Sequence, residues 1–438
     1  MSEITRGSAK RTAKLAGLPL GMASRTAVGW GKRLAGADKD EVNAELQAKA
    51  AEQLFEVLGQ LKGGAMKLGQ AMSVMEAAVP PEYAAPYRDA LAKLQNEAPP
   101  MPAATVHKVL DQQLGTGWRD RFTSFDDDAA ASASIGQVHR GVWSDGREVA
   151  VKVQYPGADE ALRADLKALG RLSSVLKPLT PGADVKSLVQ ELTDRTEAEL
   201  DYRYEATNQR KFAKAFDGDP NIQVPKVFAS APTVIISEWV AGRPLRDVIA
   251  NGTQEERNDA ASKLTEFEVS APARTGLLHG DPHPGNFMIA PDGRLIALDF
   301  GAVAEYPGGI PPAVGKILRL ARDEDYEALF PLLRSQGFIP PRLEITPEEI
   351  RSYLAPYVDP LRSESFHFTR KWLMKAAYTA TDVRGEQFQT GRKLALPPEY
   401  VMLFRVLLGM VGICSQMEAE APYRAIVEHW IPLLDGDD

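Results

Sequence analysis

Apolar positions recur at helical spacing along most of the first hundred residues. Leu54, Val57 and Leu58 fall on one face of a helix, because residues three and four apart are neighbours on its surface. Proline pairs at 80–81 and 99–100 interrupt the pattern, since proline ends a helix or begins the next one. The same spacing returns further along the chain, so helices are predicted over residues 40–113, 158–176 and 184–216.

Two short β-like runs stand in the middle of the chain. They cover residues 137–143 and 148–154, and Ser144-Asp145-Gly146 joins them. An Asp-Gly step between two such runs is a strong signal of a β-hairpin. Two more strands are predicted at 224–229 and 233–238, and the pattern is mostly helical from there to the end.

Composition places the chain among soluble globular proteins of two or three structural units. It has 438 residues, of which 44% are hydrophobic and 25% charged, which excludes a collagen, a disordered protein and a polytopic membrane protein. The 59 acidic and 51 basic residues give a net charge of −8, so nucleic acid is not an expected partner. The single cysteine, Cys414, excludes an internal disulfide and favours a reducing, cytoplasmic setting.

The longest apolar stretch runs from 401 to 414 and contains Arg405. It is shorter than the roughly 20 residues that a membrane-spanning helix needs. We therefore expect a buried helix, more typical of a core than of an interface, and a chain that is at most peripheral to a membrane.

The first 39 residues form a basic arm. Seven Lys or Arg residues stand against one acid, Glu3, within residues 1–36, and apolar side chains are interspersed among them. Such a segment can lie on an anionic membrane surface, and the inner face of the membrane is the expected place. A basic tail without a membrane contact, or a strip packed on the body of the protein, is the alternative.

Lys152 ends the sequence Val149-Ala150-Val151-Lys152 in the second run of the hairpin. Strand alternation puts its side chain on the face opposite Val151, where a flexible positive charge can reach phosphate groups. On its own this pattern is more typical of a surface lysine on an edge strand, so its meaning depends on the residues downstream.

The segment 279–301 carries the side chains expected of phosphoryl transfer. Asp281 and Asn286 are five residues apart, the interval of a kinase catalytic loop, and Asp299 opens the sequence Asp299-Phe300-Gly301 after an apolar strand. The interval lets Asp281 face the proton of a nucleophile as base or water-positioning group, while Asn286 and Asp299 hold Mg²⁺. Together with Lys152 these residues occur in kinase order.

His279 and His283 flank the same Asp281 and admit a second interpretation, a zinc site. Histidines four residues apart share a face only on a helix, and Pro282 and Pro284 exclude a helix here. We therefore expect the two imidazoles to brace the loop by hydrogen bonds.

With these motifs the chain resembles the UbiB-type atypical kinases, the AarF-domain-containing family, over about residues 50–310. Where protein kinases have a glycine-rich loop, residues 129–137 are similar to the family's alanine-rich loop. The resemblance implies a stiff turn over the phosphates of ATP, because alanine has less backbone freedom than glycine. Ser132 stands where many members have alanine, which leaves the choice of nucleotide open. The resemblance implies that Ala131, Ser132, Ala133 and Ser134 of this loop bind the nucleotide.

A second family signature is Lys67-Leu68-Gly69-Gln70, which resembles the K-x-G-Q motif of the helical extension before the kinase body. The resemblance implies that this extension covers the active site and that Lys67 points at the nucleotide. Such a lid would exclude a protein substrate and favour water or a small or lipidic hydroxyl as acceptor. Without the family, the motif is an exposed polar patch on a helix.

A third signature, residues 199–206, resembles the family's E-x-D segment and the glutamate that follows it. On one continuous helix Glu199 and Glu205 would lie about 120° apart, so they would serve different lysines. The family pattern pairs Glu205 with Lys152 as part of the catalytic set, and Glu199 and Asp201 with Lys67. A solvated helix face is the alternative for each of these acids.

Residues 234–242 resemble the passage from the last strand of the small lobe to the hinge. By position, Ser237 is the gatekeeper, and backbone groups of Glu238 and Val240 are expected to bind the edge of adenine. An apolar strand that ends in glycine is common, so this assignment depends on the other motifs.

Taken together, the residues and the resemblance imply an α+β, protein-kinase-like fold with a small β-rich N-lobe, a mainly helical C-lobe and an N-terminal helical extension. The expected function is an ATPase or kinase with ATP and Mg²⁺ as cofactors, which acts on prenyl-lipid or isoprenoid-quinone metabolism at a membrane. A nucleotide-binding scaffold without turnover and a small-molecule or lipid kinase are the alternatives. The expected domains are the arm 1–39, the extension 40–118, the N-lobe 119–240 and the C-lobe 241–438.

Overall fold

The structure is a computed structural model that describes residues 100–133, 135–160, 200–382 and 385–432. Several predictions fall on other residues and lie outside this part of the chain. They are the arm 1–39, those parts of the predicted helices that fall within 40–99 and 161–199, and the site residues Lys67, Gly69, Gln70, Ser134 and Glu199.

The strands of the described residues, in chain order, are β1 (Phe122–Phe125), β2 (Ala131–Ala133), β3 (Gly136–Trp143), β4 (Glu148–Gln154), β5 (Ile222–Gln223), β6 (Val227–Ala231), β7 (Val234–Glu238), β8 (Arg243–Pro244), β9 (Leu277–His279), β10 (Phe287–Ile289), β11 (Leu295–Ala297), β12 (Val303–Glu305), β13 (Phe366–His367) and β14 (Glu420–Ala421).

The α-helices of the same residues are α1 (Ala103–Leu114), α2 (Tyr202–Ala215), α3 (Leu245–Asn251), α4 (Gln254–Thr275), α5 (Pro312–Arg322), α6 (Tyr326–Ser335), α7 (Pro347–Val358), α8 (Arg370–Thr381), α9 (Glu386–Lys393), α10 (Pro398–Gln416) and α11 (Tyr423–Trp430).

The first lobe is built on an antiparallel sheet in the order β1-β3-β4-β7-β6, with β2 added beside β3. The predicted hairpin is confirmed, because β3 and β4 pair in register from Gly136 opposite Gln154 to Val142 opposite Glu148. Gly146 has φ of 88° in the turn, a conformation that glycine adopts without steric cost. β6 begins three residues later than predicted, since Pro225 has no N–H to donate to a strand pair.

The two faces of β4 have different neighbours. Val149, Val151 and Val153 are fully buried and pack in one cluster with Leu110 of α1 and with Trp118. The alternating positions, Lys152 among them, therefore point away from α1. The hydrophobic pattern of this strand thus decides which face is left for chemistry.

The second lobe is mainly helical and surrounds α4. A capping box between Thr253 and Glu256 begins this helix, and Gly276 ends it in the left-handed conformation with φ of 71°. Leu264 and Phe267 of α4 are fully buried in the largest hydrophobic cluster of the described residues. A β-rich lobe followed by a helical lobe confirms the α+β arrangement predicted from the sequence.

The predicted single helix over 184–216 is wrong at residues 200 and 201. Asp201 has an extended backbone, with φ of −99° and ψ of 102°, and α2 begins at Tyr202. The Asp201 side chain accepts a hydrogen bond from the Arg203 N–H, which satisfies one of the free N–H groups at the helix start. The cap at Asp201 therefore begins a helix at a point where the spacing of apolar residues predicts an uninterrupted one.

The predicted apolar helix is confirmed as α10, and it is longer than the run 401–414. Ile413 and Cys414 are fully buried in the core, whereas Leu408 is 45% exposed, so the prediction of burial holds for one face. Among the described residues, α10 is the one helix whose length and mean hydropathy of 1.4 would allow a membrane crossing, and half of it is buried inside the fold. That burial is typical of a core helix.

Candidate active site

Lys152 forms a buried ion pair with Glu205 where the sheet meets α2. The Nζ atom lies 2.7 Å from Oε1 and 2.9 Å from Oε2 of the glutamate. Glu205 stands in the first turn of α2, where the positive end of the helix dipole favours a carboxylate. The structure thus brings together two site residues that are 53 positions apart in the sequence.

The charge of Lys152 is stabilised by its neighbours. Burial disfavours the ammonium form, but the carboxylates of Glu205 and Asp299 outweigh it and raise the pKa of Lys152 above its ordinary value. The ring of Tyr202 adds a cation–π contact, with Nζ 5.0 Å from its centroid. Lys152 is therefore fully positive at neutral pH.

Asp299 lies on the other side of Lys152. Its Oδ2 is 3.7 Å from the lysine Nζ, and its Oδ1 accepts a hydrogen bond of 2.9 Å from the Gly301 N–H. Asn208 of α2 donates to the Phe300 carbonyl oxygen at 3.2 Å. Consequently α2 contacts the Asp-Phe-Gly segment both through the lysine and directly.

The loop after β9 places Asp281 and Asn286 in contact. Asn286 Nδ2 donates to the Asp281 carbonyl oxygen at 2.9 Å and to Asp281 Oδ2 at 3.1 Å. Asn286 is buried and belongs to a short 3₁₀ turn, whereas the side chain of Asp281 is 29% exposed. The asparagine therefore fixes the carboxylate that is expected to meet the acceptor.

The two histidines brace this loop. His279 is completely buried; its Nε2 donates to the Asp299 carbonyl oxygen at 2.8 Å, and its Nδ1 lies 3.1 Å from Glu268 Oε1. His283 Nδ1 accepts a hydrogen bond of 3.0 Å from the Gly285 N–H. Both ring nitrogens of His279 are in use, so this histidine has none left for zinc.

The alanine-rich segment forms β2 instead of a free turn. Ala131, Val138 and Lys152 are aligned across β2, β3 and β4, so their side chains share one face of the sheet. Ser132 is exposed on the adjacent position. At Gly136 a Cβ atom would lie 2.3 Å from the Val153 carbonyl oxygen, which is why this position requires glycine.

The hinge residues lie at the end of β7. The Glu238 N–H donates to the Lys226 carbonyl oxygen at 2.8 Å, so a contact from Glu238 to adenine would have to use its own carbonyl oxygen. Val240 follows in the irregular segment that leads to β8. These positions agree with a hinge between the lobes and leave the adenine contacts a prediction.

Asp201 caps α2 and forms an ion pair with Arg203, whose Nη2 lies 2.6 Å from Oδ2. The hydrogen bond from Arg203 lowers the pKa of Asp201. Its expected partner Lys67 and the neighbouring Glu199 are outside the described residues. The pairing of these three thus stays a prediction.

Arg405 is a site residue that the sequence did not reveal. It extends from α10, and its Nη2 lies 3.4 Å from Asp281 Oδ1. Gly409, one turn further on, approaches the same loop so closely that a Cβ atom would be 2.5 Å from Pro282 Cγ. The available signal was a lone arginine inside an apolar run.

The oxygen atoms at this site fit Mg²⁺. Because Asn286 Nδ2 is the donor to Asp281, its Oδ1 remains available as a ligand, and the side chain of Asp299 is 33% exposed. Within the described ranges no three His, Cys, Asp or Glu side chains converge on one point. A magnesium ion at this site would therefore depend on Asn286, Asp299 and the phosphate oxygens of its nucleotide.

Similarity to known proteins agrees with this geometry. A family described as the ABC1 atypical kinase-like domain matches residues 93–331. The zebrafish (Danio rerio) protein "Atypical kinase COQ8B, mitochondrial" is 32% identical over 68% of this chain and 48% of its own length. The Arabidopsis thaliana protein "ACTIVITY OF BC1 COMPLEX KINASE 3, chloroplastic" is 30% identical over 86% of this chain and 52% of its own. The chain thus spans about half the length of these relatives.

A solved structure of Rv3197 from Mycobacterium tuberculosis in complex with erythromycin is also similar. It is 54% identical, superposes with a TM-score of 0.71, and the match covers 91% of this chain and 100% of that one. The family match extends over more than half of the 438 residues and includes Lys152, Asp281, Asn286 and Asp299. The chain belongs to the ABC1 atypical kinase family, as its resemblance to the UbiB group predicts.

Proposed function

We propose that the chain binds MgATP between its lobes and cleaves the γ-phosphate. The observation that carries the proposal is the position of the Lys152 ammonium group between Glu205, at 2.7 Å, and Asp299, at 3.7 Å. A lysine held by a helix glutamate beside the Asp-Phe-Gly carboxylate is the arrangement that phosphoryl transfer requires in kinases.

Each residue of the site then has a separate task. Lys152 positions the phosphates. Asn286 and Asp299 would hold Mg²⁺, and the bound ion would neutralise the charge that develops on the phosphate oxygens. Asp281 orients the attacking hydroxyl or water and accepts its proton, while Asn286 keeps the carboxylate in place by the bond at 3.1 Å.

The setting we propose is isoprenoid-quinone or other prenyl-lipid metabolism at a membrane surface. The resemblance to the UbiB group supports it, and the basic arm 1–39 would supply the contact with anionic lipids. A lid carrying Lys67 would leave water or a small lipidic hydroxyl as the acceptor and would keep a protein substrate out.

The test is phosphate release from MgATP by the purified protein, with and without anionic liposomes, beside Asp299→Asn. Release that liposomes accelerate and that the variant lacks is the expected result. ATP binding without any phosphorylated product or free phosphate would instead favour a scaffold without turnover. In that case Asp281→Asn would also preserve biological activity. Phosphate found on a small molecule, a different outcome, would identify a small-molecule or lipid kinase.

A second candidate function is binding of a macrolide. It is favoured by the 54% identity to Rv3197, whose solved structure contains erythromycin. Titration calorimetry with erythromycin, in the presence and absence of ATP, would test it. Saturable binding of one equivalent supports the candidate, and no heat at high concentration of both partners excludes it.

A further inference from the structure

The helical lobe contains a cavity that the phosphoryl-transfer site does not use. Its volume is about 300 Å³, and α4, α5, α6, α7, α9 and α10 contribute to its walls. The lining is almost entirely aliphatic and aromatic, with Leu354, Leu403 and Leu407 among its members. Such walls favour apolar molecules over water, because water finds few hydrogen-bond partners on them.

One carboxylate interrupts this apolar lining. Glu268 of α4 lines the cavity and is 1% exposed. Its Oε1 lies 3.1 Å from His279 Nδ1, whereas its Oε2 has no hydrogen-bond partner among the described residues. Native proteins rarely leave a buried carboxylate oxygen unsatisfied, since the loss of its hydration is uncompensated.

The chemistry of the pair defines what can satisfy Oε2. His279 Nε2 must carry a hydrogen because it donates to the Asp299 carbonyl oxygen at 2.8 Å. The second proton of the pair lies between Nδ1 and Glu268 Oε1. Whichever of these two atoms holds it, Oε2 carries only lone pairs, so its missing partner has to be a donor.

The other polar groups on the wall are tyrosine hydroxyls. The Tyr400 hydroxyl donates to Gln336 Oε1 at 2.6 Å, and the ring centroids of Tyr353 and Tyr357 lie 6.0 Å apart. Glu268 Oε2 is the buried acceptor on the described wall that the fold leaves without a donor.

We propose that this cavity is a binding site for a single-chain apolar alcohol whose hydroxyl group donates to Glu268 Oε2. A water molecule occupies about 30 Å³ in the liquid, so the cavity holds about ten groups of methylene size. The chain would lie between α7 and α10, and the hydroxyl would reach the wall formed by α4.

Two contacts connect this site to the catalytic residues. Glu268 contacts His279, which in turn holds the backbone of Asp299. α10 lines the cavity with Leu403 and Leu407, and its Arg405 reaches Asp281. Occupancy is thus expected to alter nucleotide affinity, and by thermodynamic reciprocity the nucleotide alters the affinity for the alcohol.

Direct binding tests the proposal and needs no ATP turnover, so it stands apart from the proposed function. Equilibrium dialysis of the full chain would compare 1-decanol with methyl nonyl ether, an isomer that has the same heavy atoms but no hydroxyl hydrogen. We expect one equivalent of 1-decanol to bind, about tenfold or more tighter than the ether, since the ether cannot donate the hydrogen bond to Glu268.

Neighbouring leucines on α10 provide a matched pair of variants. Leu407 lines the cavity and Leu408 is exposed outside it. Leu407→Trp fills the space and should reduce binding of both probes at least tenfold, while Leu408→Trp should leave both unchanged. No saturable binding to the wild type, or equal effects of the two substitutions, would overturn the proposal.

A second pair tests the hydroxyl contact and does not depend on the folding of the tryptophan variants. Glu268→Met removes the acceptor and should abolish the preference for the alcohol, with ether binding retained. Glu268→Gln keeps an amide oxygen that can accept and should preserve the preference. If Glu268→Met preserves it as well, the hydroxyl does not bind at Glu268 and the assignment is wrong.

Discussion

Arg405 Nη2 lies 3.4 Å from Asp281 Oδ1 and connects the last long helix to the proposed catalytic loop. The two residues are 124 positions apart, and both side chains are partly exposed, so the pair adds little stability. Its effect is on geometry, since a guanidinium group at one carboxylate oxygen and Asn286 at the other orient Asp281 from both sides.

We therefore predict that Arg405→Leu lowers ATP turnover about three- to tenfold, because Asp281, the proposed base, loses one of its two positioning contacts. The KM for ATP should change little, as Arg405 is not expected to touch the nucleotide. Steady-state kinetics measure both parameters. Arg342→Leu, at an exposed position of the same lobe, is the control, and an equal loss in both variants would argue against a positioning role.

Gly409 leads to a second prediction about the same helix. Gly409→Ala places a Cβ atom 2.5 Å from Pro282 Cγ, so the catalytic loop or α10 has to move. We expect lower turnover together with a loss of about 1–3 kcal/mol in the free energy of unfolding, the usual result of overpacking. Kinetics and urea unfolding measure these effects.

Removal of the colliding atom provides the control. In the double variant Pro282→Ala with Gly409→Ala the Cγ atom is absent, and part of the lost stability should return. If the double variant is destabilised by the sum of the two single effects, the contact between these residues is not the cause.

The ion pair of Lys152 and Glu205 allows a thermodynamic prediction. Their side chains are 17% and 5% exposed, so either single replacement by Met leaves a buried charge without its closest partner. We expect the double replacement to be less destabilising than the sum of the two, with a coupling of about 1–3 kcal/mol. Urea unfolding of the four proteins measures it.

A surface pair shows what coupling to expect without burial. Arg351 and Glu324 are 3.3 Å apart, with 47% and 41% of their side chains exposed. The same cycle there should give no more than about 1 kcal/mol. Equal couplings for the two pairs would mean that burial does not strengthen the contact of Lys152 with Glu205.

The sequence predicts the local parts of this molecule well. The hairpin of β3 and β4 depends on the alternation of apolar and polar residues and on an Asp-Gly turn. Both signals lie within a short stretch of sequence, so they can be recognised without knowing the rest of the fold. The order of Lys152, Asp281, Asn286 and Asp299 is readable for the same reason, because each stands in a short motif with its own strand or loop context.

The sequence predicts less well where a distant segment decides the outcome. The start of α2 depends on a side-chain cap at Asp201 that competes with helical periodicity. Arg405 stands out in the sequence only as a charged residue in an apolar run. The residues around it do not indicate that its side chain contacts Asp281, 124 positions earlier. Glu266 and Glu268 stand two residues apart in α4. Only the packing of the helix shows that Glu268 is the buried one.

The buried pair of His279 and Glu268 leads to a prediction about pH. Burial opposes the charge of His279, but contact with Glu268 outweighs it and raises the pKa of His279; burial also raises the pKa of Glu268. Both shifts have the same sign, so near neutral pH the folded pair retains a proton that the unfolded chain has lost.

Stability is therefore expected to fall as pH rises. An unfolded histidine loses its proton near pH 6.5, so the loss begins there and continues until the folded pair itself deprotonates, at up to about 1.4 kcal/mol per pH unit. Urea unfolding between pH 6 and 9 measures this slope, and His279→Gln should flatten it by the contribution of the pair. His367→Gln, at an exposed position, should keep the wild-type slope. If His279→Gln keeps it too, the pair holds no extra proton in the folded state.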